Sequence, residues 1–368
     1  MLRAVELIRL RLPFVRPFRT ALGTTSERDL LLVHAIAEGS FGWGECVALN
    51  APTYTSEYTA EAHAVLRDHL VPLVLGAAAT PVLEIPALLR PIAGHRMAKA
   101  ALETAVLDAD LRAQRRSLAD FLGAERTSVA CGVAVGIPDS VDALIDSVEN
   151  YRHDGYRRFK LKIAPGWDRE PLRALRDHFG PELPLSADAN GAYSLADAPL
   201  LASLDQLGLL MLEQPFAADA LLAHAKLARL MRTPLCLDES IISVETAADA
   251  IEAGACRVVN IKMGRVGGVL EAKRIHDVCR DRAVDAWCGG MFETGVGRAA
   301  NLALAGLEGF TLPAEVSPPA RHYTVDIVQP HAEMVEGRIT VPTGPGLGVE
   351  VLRDVVDSFT TEVETVGG

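Results

Sequence analysis

Apolar runs recur through the middle of the chain at a nearly constant interval. Arg158-Phe159-Lys160-Leu161-Lys162 is one. Leu183-Pro184-Leu185-Ser186-Ala187-Asp188, Leu209-Leu210-Met211-Leu212-Glu213, Leu235-Cys236-Leu237-Asp238 and Val258-Val259-Asn260-Ile261-Lys262 follow. Each run closes on an ionisable residue, and Lys162, Asp188, Glu213, Asp238 and Lys262 stand 26, 25, 25 and 24 residues apart. A period of about 25 residues accommodates one strand, one helix and two loops. Units of this kind form a parallel sheet, and eight of them close a (β/α)8 barrel. Backwards, the apolar run 129–135 supplies strand one. Forwards, 284–288 supplies strand seven, and Phe310-Thr311-Leu312 a weak strand eight. Helix signals fall between the runs. Ser194 with Asp197 makes a loose capping box, Ser243 caps a helix that Gly254 ends, and 267–282 reads as helical.

The flanks follow other patterns. Residues 2–46 alternate as strands, with Gly39 and Gly42 marking a turn, and 56–123 read as helices, most clearly 98–116. The polar segment 17–26 lies between strand runs and reads either as a mobile loop or as a solvated hairpin tip. From Arg321 the text turns again to a short strand and tight turns, as a tail returning to the N-terminal part. The expected fold is α/β: a (β/α)8-type, modified TIM barrel over 126–320, and an α+β capping domain built from 1–125 and the segment 321–368.

Composition narrows the function. A formal charge of −12 argues against nucleic acid or an anionic membrane as partner. The longest uncharged run, 70–83, is too short to span a bilayer and carries Pro72 and Pro81. Met1-Leu2-Arg3-Ala4-Val5-Glu6 lacks the apolar core of a signal peptide. The six cysteines form no CxxC pair and read as reduced, buried thiols, so a cytoplasmic protein is expected. The ten histidines form no HxxxH or HExxH, which argues against zinc.

In a parallel barrel the residues that end the strands gather at one mouth. Lys160 and Lys162, two apart, point to the same side of their strand. Their mutual repulsion lowers the pKa of one and makes a base near neutral pH; alone, such a pair more often marks a solvated edge. Asp188, Glu213 and Asp238 change the balance. Three carboxylates at successive strand ends repel unless a cation neutralises them, and a hard divalent ion such as Mg²⁺ with oxygen ligands is the usual remedy. Asn190 and Glu239 are near enough to support that shell. Gly264-Arg265-Val266-Gly267-Gly268 and Gly344-Pro345-Gly346-Leu347-Gly348 lack the spacing of phosphate or dinucleotide loops.

Together, Lys160-Leu161-Lys162, Asp188-Ala189-Asn190, Glu213-Gln214-Pro215, Asp238-Glu239-Ser240 and Asn260-Ile261-Lys262 resemble the enolase superfamily, in its muconate-lactonising subgroup. The resemblance covers the whole chain. It is nearest to N-acylamino acid racemases that are also o-succinylbenzoate synthases, through 94–99, 162–168, 287–291 and 342–346. It implies Asp188, Glu213 and Asp238 as ligands of Mg²⁺, with Mn²⁺ or Co²⁺ able to substitute. It implies Lys162 and Lys262 as acid and base on opposite faces of the substrate α-carbon, with Lys160 beside them. Arg265 resembles a feature of the racemising members. Gly290, Met291 and Phe292 are implied at the substrate, and Phe18 and Tyr54 are expected to contact its side chain from N-terminal lids. Ala134, His322 and the bulky Phe292 depart from the family pattern where the acyl group should bind.

The expected activity is racemisation of N-acyl, foremost N-succinyl, amino acids through a metal-stabilised enolate. The expected partner is a small-molecule carboxylate, and the protein is expected to be a homo-oligomer, from dimer to octamer. The rivals are a dehydrating o-succinylbenzoate synthase of menaquinone synthesis, a dipeptide epimerase or cycloisomerase, and a catalytically silent binding protein on the same fold.

Overall fold

A computed structural model describes residues 1–21, 23–77 and 80–367. Leu22, inside the segment read as a loop or hairpin tip, lies outside the described residues, as do Ala78 and Ala79 in the uncharged run. Three antiparallel strands open the chain: β1 (Leu2–Thr20), β2 (Gly23–Ala37) and β3 (Ser40–Cys46). Their alternation sends each face to a different core. Val5, Leu7, Leu31 and Val33 pack with the N-terminal helices, while Ile8, Leu10, Leu30 and Leu32 join the cluster that continues into the barrel. The long helix α1 (Arg96–Gln114) lies across β3. Gly44 permits that approach, since a Cβ there would collide with the backbone of Ala101.

The segment 17–26 is not a free loop. Phe18 pairs with Thr25, Arg19 with Thr24 and Thr20 with Gly23, past a register shift after Pro13. It is the far end of a hairpin, because backbone pairing needs no apolar alternation on the exposed part of a ribbon.

Seven parallel strands make the curled sheet: β4 (Gly132–Val135), β5 (Arg158–Lys162), β6 (Leu185–Asp188), β7 (Leu212–Glu213), β8 (Leu235–Leu237), β9 (Val258–Ile261) and β10 (Asp285–Cys288), adjacent in that order. The apolar run expected as strand one divides in two. Ser128–Ala130 pairs instead with Arg338–Thr340, and only Gly132–Val135 enters the parallel sheet. The expected eighth strand does not form among the described residues. An irregular segment fills its place: Thr311 and Glu315 donate to the carbonyls of Ala286 and Cys288, while Ala314 bonds Ala130 and Gly132. Pro313 breaks this segment, since proline lacks the N–H a central strand requires.

Ser194–Asp197 and Ser243 cap as expected, the latter in a box with Thr246. Two barrel helices matter below: α2 (Val269–Asp281) and α3 (Gly295–Ala305). The last strand, β11 (Thr360–Gly367), pairs antiparallel with β1 and so ties the end of the chain to its beginning. All six cysteines are unpaired and buried. Among the described residues no helix is long and apolar enough to cross a membrane.

Candidate active site

The parallel register sets the strand-end residues side by side. Lys162 is level with Asp188, and Asp188 with Glu213. Asp238 follows β8 and Lys262 follows β9. All five are buried. Asp188, Glu213 and Asp238 bring one oxygen each to within 4.8 Å of one another, as a metal-binding group would. The donor set fits a hard divalent ion: three buried carboxylates and no thiol or imidazole. Glu213 Oε2 is buried and without a hydrogen bond, although Lys160 Nζ stands 3.0 Å away, so it retains an oxygen for a cation. A second group, His63 with Glu362 and Glu364, has comparable spacing and sits between an N-terminal helix and β11, with Glu362 exposed.

The lysines flank the carboxylates. Lys162 Nζ lies 2.6 Å from Asp188 Oδ2 and donates to Asn190 Oδ1 at 2.8 Å. Lys262 Nζ lies 2.8 Å from Asp238 Oδ2 and 3.0 Å from the Tyr54 hydroxyl. Lys160, buried beneath, stands about 3 Å from Asp188, Glu213 and Glu315, with its ammonium over the Trp287 ring. Arg265 pairs with Asp238 and also donates to Tyr54 and to the carbonyls of Ile241 and Asn260. Asn190 joins Lys162 to Glu239. Thus the expected supporting residues Asn190, Glu239 and Arg265 all contact members of the set or each other.

Charge is distributed unevenly. Burial opposes ionisation of Asp188, but Lys162 and Lys160 outweigh it and hold its carboxyl well below the usual range. Burial and the neighbouring Asp188 push Glu213 and Glu239 up. Such crowding of like charges is relieved by a bound cation. The lowered lysine pKa expected from Lys160 beside Lys162 does not occur at Lys160. Burial works against its charge, yet Glu213, Glu315 and Asp188 hold it above the lysine range. Lys262 is likewise raised, with burial overcome by Tyr54, Glu239 and Glu213.

Above these groups opens a cavity of about 480 Å³. It is lined by the expected Phe18, Tyr54, Gly290, Met291 and Phe292, together with Lys160, Lys162 and Lys262. The hairpin end closes one side. Arg19 O accepts a hydrogen bond from Ile137 N at 2.9 Å, and the Phe18 ring lies 5.4 Å from Phe292. Phe292 holds a left-handed conformation (φ 62°), and its carbonyl accepts a hydrogen bond from the Tyr323 hydroxyl.

Sequence reasoning missed several residues. Glu315, which pairs with Lys160, stands 27 residues past Cys288 and so continues the period, but its strand was too weak to carry the signal. Gln214, Arg298 and Arg321 also bear on the site. Of these only Gln214 lay within a motif.

Residues 4–123 match the N-terminal domain of mandelate racemase and muconate lactonizing enzyme, and residues 143–355 match the enolase C-terminal domain-like family. The chain belongs to the enolase superfamily, in the group of mandelate racemase and muconate lactonizing enzyme. It is an enzyme with the metal-dependent mechanism of that superfamily. Its relatives include the N-succinylamino acid racemase of Amycolatopsis sp, 53% identical over 366 residues that span 100% of this chain and 99% of that one. The o-succinylbenzoate synthase of Geobacillus kaustophilus is 44% identical over 357 residues, 97% of this chain and 95% of that one. Among solved structures, an enolase-superfamily member from Listeria innocua superposes with a TM-score of 0.96 at 40% identity, covering 100% of this chain and 99% of that one.

Proposed function

We propose that this enzyme racemises N-succinylamino acids, with Lys162 and Lys262 as paired acid and base and with Asp188, Glu213 and Asp238 holding Mg²⁺. The observation that carries this reading is the placement of the two lysines. They close β5 and follow β9, four strands apart, with the three carboxylates on the strands between. A substrate carboxylate would be drawn to this point by a cation that these carboxylates hold, and its α-carbon would then lie between the two lysines.

An α-proton next to a carboxylate is very weakly acidic, so charge must be compensated as it leaves. A divalent cation among Asp188, Glu213 and Asp238 would supply that compensation when bound. One lysine takes the α-proton and the other delivers a proton from the far side, which inverts the centre. Asn190 orients Lys162 and the Tyr54 hydroxyl orients Lys262 through their hydrogen bonds. Arg265 holds Asp238 while bonding two carbonyls, which fixes that carboxylate's direction. Phe18, Tyr54, Gly290, Met291 and Phe292 wall the substrate and exclude water.

The chain is read as an N-terminal capping domain 1–125, a barrel domain 126–320 and a segment 321–368 returning to the cap. The pairing of β11 with β1 supports this reading. The protein is taken to be cytoplasmic and homo-oligomeric. A second reading, o-succinylbenzoate synthase, is favoured by relatives of that name at 40–45% identity. In that reaction Lys162 removes the proton and returns it to the departing hydroxide, which leaves as water, while Lys262 stays protonated opposite it. Rates on N-succinyl amino acids and on the cyclohexadiene precursor of o-succinylbenzoate, with Mg²⁺, separate the two. Racemisation of N-succinyl amino acids is expected. Turnover of the cyclohexadiene without any racemisation would leave the synthase as the reading.

A further inference from the structure

Five cationic side chains line the cavity, and four have a carboxylate partner. Lys160, Lys162 and Lys262 pair with the central carboxylates, and Arg298 Nη2 lies 3.1 Å from Glu293. Arg321 is the fifth. Among the described residues no carboxylate lies within 4.0 Å of it. It ends the short turn Pro319–Arg321 after the segment that replaces strand eight. One terminal nitrogen donates to the carbonyl of Ala134 on β4, and its guanidinium stands 5.2 Å over the Tyr151 ring. A guanidinium has five N–H donors in a planar fork. Here one donor and one face are used, so the fork is held in place with donors to spare.

Its surroundings suit an anion. Next along the chain, the buried His322 is kept neutral, because burial and the charges of Arg321 and Arg298 push its pKa well down. The rings of Phe18, Phe292 and His322 stand against one another on this side of the cavity. Apolar surface beside a guanidinium strengthens a charge-assisted hydrogen bond. Ala134 pairs in register with Lys160, one strand from Lys162. Arg321 therefore lies beyond the Lys162 edge of the site. Beside Lys262, by contrast, the cavity wall is Tyr54, which packs with Met291 in one apolar cluster.

A substrate whose one carboxylate a cation in the central cluster would hold thus meets a carboxylate-binding group at one end of the cavity and apolar surface at the other. We propose that Arg321 binds the terminal carboxylate of the N-acyl chain and selects dicarboxylic acyl groups such as succinyl over acetyl, leaving the apolar end for the amino-acid side chain. This assignment rests on the racemase reading above.

The test compares Arg321→Met and Arg321→Lys with wild type in Mg²⁺-loaded protein. N-succinyl-phenylalanine, N-acetyl-phenylalanine and N-acetylglutamate are the probes, and both calorimetric binding and racemisation are measured. Loss of a charge-assisted bidentate contact should weaken wild-type N-succinyl binding by about 10–10²-fold. The change should appear in KM far more than in kcat. N-acetyl-phenylalanine should lose much less, and Arg321→Lys should retain part of the preference. Equal losses for the succinyl and acetyl substrates would mean that Arg321 only holds Ala134, and would overturn the proposal. So would a selective loss on N-acetylglutamate, which would assign the guanidinium to the side chain, or a wild type that binds acetyl and succinyl forms alike. That last comparison needs no variant to fold. Binding without racemisation in wild type would strike the racemase reading while leaving the acyl-carboxylate assignment to stand or fall on the binding ratios.

Discussion

The side-chain carbonyl of Gln214 accepts hydrogen bonds from the backbone N–H of Asp238 at 2.9 Å and of Ser240 at 3.2 Å. Its amide donates to Ser240 Oγ and to Phe216 O. Gln214 is fully buried, holds a left-handed backbone (φ 38°), and directly follows Glu213. One side chain thus ties the end of β7 to the turn that presents Asp238, and fixes two of the three carboxylates relative to each other.

Gln214→Leu should therefore act on metal binding without touching a metal. Groups that orient ligands are typically worth about 10–100-fold in metal affinity. Titration with Mg²⁺ should show a loss in that range with the circular dichroism of the fold retained. An unchanged affinity would mean that the backbone alone holds Asp238.

Chelation provides a coarser check on the same cluster. Activity should vanish in EDTA and return with Mg²⁺, and Asp238→Asn should require more metal for half-maximal activity. Full turnover of metal-free protein would contradict the assignment.

A pH effect is expected far from the cavity. Glu103, in α1, accepts the backbone N–H of Leu270 at the start of α2, and burial pushes its carboxyl up to about 8. Its folded pKa lies above the unfolded value, so the native state binds an extra proton between about pH 4.5 and 8 and is favoured at the acidic end. This contribution to stability is full below the unfolded pKa and is lost as pH rises through the folded one. Glu103→Gln cannot ionise. The Tm of the variant minus that of wild type should rise across this window, and a flat difference would remove the effect.

The hairpin end should govern access. Phe18→Ala removes the ring that faces Phe292 and His322 while leaving the Arg19–Ile137 backbone bond. KM is expected to rise by about 10-fold with a smaller change in kcat, as for a weakened lid. Steady-state kinetics on N-succinyl-phenylalanine would reveal it, and a change confined to kcat would speak against a lid.

The site was legible in the sequence where strand and chemistry coincide. A residue closing each apolar run must stand at the same end of a parallel sheet, so Lys162, Asp188, Glu213, Asp238 and Lys262 could be brought together by counting. Glu315 obeys the same count but lies behind Pro313 in a segment that is not a strand, so nothing local marked it. For the segment 17–26 the sequence left a loop and a hairpin tip open, because the pairing past the register shift that decides for the hairpin is carried by backbone atoms that composition does not register. The sequence did not say which of the two lysines on one strand face repulsion would act on; at Lys160 the three carboxylates of Asp188, Glu213 and Glu315 decide the sign. Contacts such as Arg321 with Ala134 join residues 187 positions apart and have no sequence signature.

The central claim is that two lysines work from opposite faces of one α-carbon. It is tested most directly by proton NMR in D₂O, following exchange of the α-proton of separate L and D N-succinyl substrates in Lys162→Ala and Lys262→Ala. Each variant should lose exchange from one enantiomer while retaining it from the other, with racemisation down by at least about 10²-fold, as expected when a positioned acid or base is removed. Equal residual exchange of both enantiomers in both variants would contradict the two-base arrangement.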